Sequence, residues 1–332
     1  MASIRFGVLG CSSHYFKRIA VPLRSSLIVE PWAIASRSGG KAAQAAEDWG
    51  FEKSYGTYGE LLADKDVAFV YNPLPNHMHL EWIKKAADAG KHTLCEKPLC
   101  MNAAQAREAA DYCRKKGVLL MEAFMYRFHP QWIRARELAE CFELGAVQAV
   151  HCWFSYNNKD PRNIRNIAEY GGGALMDIGC YAVSSARFLF DAEPERVVGL
   201  FQADPDFGTD MLTTGILDFG QGRRASFTVG TQSFPMQRVD ALGDGGSLSV
   251  EVPFNMYGDF PGRIHVATGV GRRTVETEIA DQYQLEFDAF ATAIAEKRDV
   301  PTPVEDALAN MAVIDALVAS AKSGTWVDVR RP

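Results

Sequence analysis

Ile4-Arg5-Phe6-Gly7-Val8-Leu9-Gly10-Cys11-Ser12-Ser13-His14-Tyr15 is the stretch that decides the fold. It opens with an apolar run of strand length, passes through a short turn, and leads into a helix-like segment. Working outward, similar apolar runs recur at Trp32-Ala33-Ile34-Ala35, Val67 to Tyr71, His92 to Glu96 and Val118 to Glu122, with a shorter strand at Lys53-Ser54-Tyr55. Between them Gly40 to Trp49, His79 to Ala89 and Asn102 to Lys116 are rich in Ala, Glu, Lys and Leu and read as helices. Gly50, Gly90 and Gly117 stand where each helix should stop, since glycine accepts the left-handed C-terminal cap. Strand and helix repeated in this way imply right-handed crossovers and a parallel sheet. The fold class is therefore α/β, and residues 1–125 read as one domain built on that sheet.

The texture changes after Arg127, and 126–332 reads as a second domain. Gly171-Gly172-Gly173 opens a helix from about Ala174 to Phe190. Runs with period-two or β-branched character follow at Val197 to Phe201, Leu212 to Phe219, Arg223 to Thr231, Val239 to Leu242, Ser247 to Val252, Arg263 to Ala267 and Thr274 to Ile279. Turn groups such as Gly220-Gln221-Gly222 separate them, which predicts a large, mainly antiparallel sheet. Two helices close the chain. The first carries the stripe Tyr283, Phe287, Phe290 and Ile294, and the second opens with the capping sequence Thr302-Pro303-Val304-Glu305.

Composition narrows the function. Lys plus Arg is 35 and Asp plus Glu is 41, a net charge of -6 with no basic run, which argues against nucleic acid or an anionic membrane as partner. No apolar stretch reaches the ~20 residues a spanning helix needs. Met1-Ala2-Ser3-Ile4-Arg5-Phe6 leads straight into a strand without the zones of a signal peptide. Seven cysteines, irregularly spaced and without Cys-x-x-Cys, suggest reduced thiols in a cytoplasmic protein.

At the first strand–helix turn a dinucleotide fingerprint would place glycine at 10, 12 and 15. Only Gly10 is glycine; Ser12 is small and can itself bond a phosphate, while Tyr15 is not read as a ligand. At the end of the second strand, where NAD readers carry Asp or Glu, this chain has Ser36-Arg37-Ser38 with Lys41 a turn later. Two cations and two hydroxyls suit the 2′-phosphate of NADP. The fourth strand ends in Cys95-Glu96-Lys97-Pro98, and carboxyl ends of parallel strands are where ligands bind. Further on, Asp177 and Tyr181 stand four apart on one helix face. Such a pair needs a polar partner, which a substrate hydroxyl would supply; it reads equally as a tyrosine bonded to an aspartate inside the fold.

These features together resemble the Gfo/Idh/MocA family of oxidoreductases. The resemblance spans essentially the whole chain. Its carriers are the Gly7-Val8-Leu9-Gly10 turn, Asn72-Pro73-Leu74-Pro75-Asn76-His77-Met78-His79, Ala89-Gly90-Lys91-His92, Glu96-Lys97-Pro98, Glu122 to Pro130, and Gly171 to Tyr181. It implies a Rossmann domain followed by an α/β domain with an open, mainly antiparallel sheet, and NAD(P)-linked chemistry on sugars, polyols and related diols. Lys97 matches the family's catalytic lysine and Asp177 the acid of the helix. Tyr181 stands where many members have histidine, as in the branch that holds glucose-fructose oxidoreductase, NADP xylose dehydrogenases and dihydrodiol dehydrogenases. Asn72, Pro73, Asn76 and His79 match a loop along the cofactor, Glu96 and Arg127 match positions at its nicotinamide end, and Arg165 resembles another cofactor contact. The family needs no metal.

The expected activity is hydride transfer between NADP and a sugar, polyol or diol carbinol carbon. Tyr181 is the candidate general base. A phenol's usual pKa is about 10, so the Lys97 cation would lower it, or Lys97 would move the proton itself. Asp177 would orient the sugar. The alternative within this fold is reduction of a keto-sugar, possibly nucleotide-linked; an NADP-binding regulator without catalysis is a third. A homodimer or homotetramer packed through the second sheet is expected, with Leu212 to Leu217 and Ala225 to Val229 supplying apolar side chains to its open face.

Overall fold

A computed structural model describes residues 3–141 and 143–330; Met1 and Ala2, at the head of the run read as entering the first strand, lie outside them. The chain forms two compact units, one made of the residues up to Met125 with Asp281–Leu308, the other of Tyr126–Ala280 with the residues from Ala309 on.

The first unit is built on a parallel sheet of six strands, β1 Ile4–Leu9, β2 Val29–Ala35, β3 Lys53–Tyr55, β4 Phe69–Asn72, β5 His92–Glu96 and β6 Leu120–Ala123. Their order is β3-β2-β1-β4-β5-β6. That order reverses between β1 and β4, the place where α/β sheets of this kind bind dinucleotides. The helices are α1 Gly39–Trp49, α2 Tyr58–Ala63, α3 His79–Asp88 and α4 Ala103–Lys116. Gly50 and Gly117 do end α1 and α4 in the left-handed conformation, at φ 77° and 69°. Asn102 caps α4 by accepting from the Gln105 N–H at 2.9 Å.

The stripe read at Tyr283, Phe287 and Phe290 explains why Asp281–Leu308 belongs to this unit. The Phe287 ring lies 5.3 Å from Phe6 and 5.1 Å from Tyr71, and Phe290 lies 5.3 Å from Phe69. All four phenylalanines are fully buried, each stabilising the unit by roughly 1.5–3 kcal/mol.

The second unit contains α5 Pro130–Glu140, α6 Cys180–Phe190 and a nine-stranded sheet. Its strands are β7 Val147–Asn157, β8 Arg196–Ala203, β9 Asp210–Asp218, β10 Arg224–Gly230, β11 Gln232–Gly243, β12 Gly246–Val250, β13 Arg263–Thr268, β14 Gly271–Glu276 and β15 Val327–Asp328. The order is β14-β13-β12-β11-β7-β10-β9-β8-β15, antiparallel except where β10 runs parallel to β7. The remaining helices are α7 Gln282–Glu296 and α8 Val304–Ser323. Gly199 of β8 and Gly215 of β9 are paired, and a Cβ on either would press against Leu317 of α8.

The two runs expected to make the open face apolar divide by strand. On β9, Leu212 and Ile216 are exposed. On β10 the alternation points the other way: Ala225, Phe227 and Val229 are buried, and the outward residues are Ser226 and Thr228. Period-two geometry fixes this outcome, since a strand can give its apolar set to one face only.

Candidate active site

In the first unit the turn after β1 and the end of β4 stand on either side of the strand-order reversal. Gly10 has φ 103°, and a Cβ there would meet Leu74 Cδ2 at 3.3 Å and the Tyr58 hydroxyl at 3.6 Å. A side chain is therefore disfavoured where a phosphate would approach the backbone. The Ser12 hydroxyl accepts from the His14 N–H at 3.2 Å. Tyr15 points inward and is 1% exposed, which keeps it out of any ligand contact.

Ser36, Arg37 and Lys41 come to the same turn. The Cys11 thiol donates to the Lys41 carbonyl at 3.6 Å. Burial pushes this thiol up, opposed by the Ser36 hydroxyl and the Lys41 charge. Burial likewise raises the Tyr58 phenol, and the Arg37 guanidinium beside it works in the opposite direction. Arg37 and Lys41 are exposed, and among the described residues neither is in an ion pair. Asn72 is fully buried; its Oδ1 accepts from the Leu74 N–H at 3.3 Å, and its Nδ2 has no partner among the described residues. Two exposed cations outside any ion pair among the described residues, the Gly10 turn and a buried amide donor fit a phosphorylated dinucleotide.

His79, read with the cofactor-lining loop, has an internal place in it. Its ring is fully buried, with Nε2 2.7 Å from the Leu74 carbonyl and Nδ1 3.1 and 3.2 Å from those of Pro98 and Leu99. It ties the Asn72–Asn76 segment to the turn that carries Lys97. Pro73 and Asn76 are partly exposed beside it. A second tie is Glu122, whose Oε1 accepts from the Leu99 N–H at 2.6 Å.

Lys97 follows β5 directly and is partly exposed. Glu96 before it accepts from the Tyr71 hydroxyl at 2.6 Å, and His14 Nε2 stands 3.5 Å away. Burial alone would raise the Glu96 carboxyl, but His14, Lys97 and Tyr71 outweigh it and hold it at about 2. Glu96 is thus a fixed negative charge next to the lysine. His14 and Tyr71 carry no local sequence signal for this task, since their partner lies far along the chain.

In the second unit the residues of the glycine-opened segment gather other parts. The first turn is a π-turn, Leu175–Gly179, before α6 begins. Asp210 of β9 caps it: its Oδ2 accepts from the Leu175 N–H at 2.7 Å and from the Thr213 hydroxyl at 2.6 Å. Gly173, at φ 113°, leaves the space that Asp210 occupies. Asp177 is 8% exposed, and its Oδ2 accepts from the Tyr156 hydroxyl at 2.7 Å and from Arg165 Nε at 2.9 Å. A tyrosine does bond Asp177, but it is Tyr156 of β7, a residue that the sequence reading passed over. Arg165, assigned by resemblance to the cofactor, is placed on Asp177. Tyr181 is 6% exposed, its ring 5.1 Å from Phe254, 5.8 Å from Phe154 and 5.9 Å from Tyr126. Arg127 donates through Nη2 to the Ser184 hydroxyl at 2.8 Å and through Nε to the Tyr126 hydroxyl at 3.3 Å.

Residues 4–124 match the family described as an oxidoreductase family with an NAD-binding Rossmann fold, and 132–249 match the GFO/IDH/MocA C-terminal domain. A D-xylose 1-dehydrogenase (NADP(+)) of Haloferax volcanii is 39% identical over 98% of this chain and 99% of its own. The chain belongs to the GFO/IDH/MocA oxidoreductase family. Among solved structures, a 3-ketoreductase from Actinomadura kijaniata in complex with NADP and TDP-benzene is similar at TM-score 0.91 and 31% identity, covering 96% of this chain and 98% of that one. An aldose-aldose oxidoreductase from Caulobacter crescentus, complexed with glycerol, is similar at TM-score 0.90 and 26% identity, covering 98% and 99%. As a GFO/IDH/MocA member this protein is an enzyme, an oxidoreductase with a Rossmann unit and a mixed-sheet unit. No helix among the described residues is long and apolar enough to cross a membrane.

Proposed function

We propose that this protein is an NADP-dependent dehydrogenase that oxidises an aldose at its anomeric carbinol carbon. The observation that carries the cofactor choice is the pair Arg37, just after β2, and Lys41, in the first turn of α1, both exposed and outside any ion pair among the described residues, with no carboxylate at Ser36 to Ser38. When bound, NADP supplies the hydride acceptor. Gly10, Ser12, Asn72, Pro73 and Asn76 line its approach, and Glu96 sets the charge beside its reactive end. Arg127 serves that end through its place on Tyr126 and Ser184.

Tyr181 takes the proton of the sugar hydroxyl as the carbon loses its hydride. Lys97 supplies the cation that makes a phenol usable near neutral pH. Asp177 accepts from the sugar's neighbouring hydroxyls and fixes which carbon reacts. The name of the xylose dehydrogenase relative supports an aldopentose substrate. The 3-ketoreductase likeness supports a second reading, in which the same residues run in reverse: Tyr181 donates the proton as a keto-sugar is reduced.

The exposed Trp153, Leu200, Leu212, Ile216, Phe234, Met236 and Leu242 support a second copy of the chain covering the sheet of the second unit. Light scattering that returns only single chains at micromolar concentration would contradict that assembly. All seven cysteines are free thiols, which supports a reducing, cytoplasmic setting. The activity is tested by following NADP and NAD reduction with aldoses, polyols and cyclic diols, and NADPH oxidation with keto-sugars. Faster turnover of an aldose with NADP than with NAD is expected. Turnover confined to keto-sugars moves the assignment to the second reading, and turnover of none removes both.

A further inference from the structure

We propose that Tyr156 is a positioning residue for the sugar, acting through Asp177 together with Arg165; this rests on the dehydrogenase reading above. Three separate pieces of chain converge on one carboxylate oxygen. Tyr156 comes from strand β7, Arg165 from the loop after it, and Asp177 from the π-turn ahead of α6. The Tyr156 hydroxyl and Arg165 Nε both donate to Asp177 Oδ2, at 2.7 and 2.9 Å. Two donors on one oxygen pin the carboxylate plane, because rotating it breaks both charge-assisted bonds at once.

The loop is braced to keep Arg165 in that place. Asn166 is 4% exposed and donates through Nδ2 to the carbonyls of Asp160 at 2.9 Å and Asn158 at 3.3 Å. Asn163 Oδ1 accepts from the Arg165 N–H at 3.0 Å. Gly172 and Gly173 donate to the carbonyls of Ile167 and Arg165, at 3.1 and 2.9 Å. A brace of the fold alone needs no route to solvent. Here the Arg165 side chain is 37% exposed and that of Asp177 11%, so the cluster opens to solvent mainly at the guanidinium, with a small part of the acid reaching the surface beside it. The ordering of Asp177 is therefore available to a ligand, and a fixed acceptor discriminates among sugar hydroxyl arrangements in a way a rotating one does not.

The test uses the full chain and the aldose it turns over best. In Tyr156→Phe the ring stays and only the hydroxyl goes. The KM for the sugar should rise about tenfold. kcat should stay within about threefold, and NADP affinity by fluorescence quenching should be unchanged. In an Asp177→Asn background the same substitution should add less than about twofold, because residues acting as one unit are not additive. An unchanged KM overturns the role. So does a multiplicative loss in the Asp177→Asn background, a loss confined to kcat or NADP affinity, or a Tyr156→Phe chain that does not fold. Absence of NADP-linked turnover in the unmutated protein defeats the dehydrogenase reading itself, and this role with it.

Discussion

Replacing Gly172 with alanine should disturb the acid of the second unit from five residues away. An alanine Cβ would lie 2.8 Å from the Arg165 carbonyl carbon and 2.9 Å from the Ile167 oxygen, with the Arg165 oxygen closer still. All three are backbone atoms, so they cannot swing aside like a side-chain tip. They must retreat by several tenths of an ångström, and the Gly172 and Gly173 N–H bonds to the same two carbonyls are strained with them. Overpacking of this kind costs about 1–3 kcal/mol, or about 4–8 °C in Tm for a mid-range 2 kcal/mol in a unit of this size. Arg165 is carried off Asp177 Oδ2 in the process. Loss of that charge-assisted bond is worth about 1.5–3 kcal/mol, hence a roughly 10- to 100-fold rise in sugar KM. Thermal unfolding and steady-state kinetics are read side by side, with Gly59→Ala as the control. Gly59 lies in α2 with nothing within 4 Å of the added carbon, so alanine there should stabilise by about 0.5–1 kcal/mol and leave kinetics alone. A Gly172→Ala enzyme with unchanged Tm and unchanged KM would refute the reasoning.

Two further outcomes follow from the first unit. Arg37→Ala should weaken NADP by roughly 10- to 100-fold while leaving NAD nearly unchanged, as only NADP carries the 2′-phosphate; equal losses in titrations of both cofactors would count against the cofactor assignment. Glu96 is held at about 2 against an ordinary 4.5, so its ionised form adds about 3 kcal/mol to stability at neutral pH. A depressed acid gives this contribution in full above about 4.5 and loses it as pH falls toward about 2. The stability gap between wild type and Glu96→Gln in urea melts should therefore narrow below about pH 4.5, and a gap independent of pH would show that the network does not hold that charge.

The parts of this molecule written in local patterns were legible in the sequence. β1, β2 and β4 carry apolar runs at Phe6 to Leu9, Trp32 to Ala35 and Phe69 to Tyr71, and Gly50 and Gly117 take the left-handed caps expected of them. The Phe287 and Phe290 stripe showed a buried helix face, though not that the helix completes the first unit. Strand β7, near the middle of the nine-stranded sheet, is hidden in the sequence because Trp153 sets a large apolar side chain on the exposed register between buried Cys152 and Phe154. Helix α5 was missed for a similar reason: Pro130 opens it and Ile133 stays half exposed, which blurs its apolar stripe. In the site, Lys97, Asp177 and Tyr181 stand out by type and neighbours. Tyr156 does not, because its partner Asp177 is 21 residues away and no short spacing encodes a bond between a strand and a later turn. The internal place of His79 was equally hidden, since its three carbonyl neighbours come from two separate loops.

The central claim is that Lys97 and Tyr181 serve one proton transfer in an NADP-linked oxidation. Turnover of the Lys97→Ala/Tyr181→Phe double variant, set against the two single variants, tests it most directly. Each single change should lower kcat by roughly 100-fold or more, the scale of lost general acid–base help. The double variant should be little slower than the worse single one, as expected of residues acting as a unit. A double variant whose loss equals the product of the singles, or a Tyr181→Phe enzyme with near-normal turnover, would contradict it.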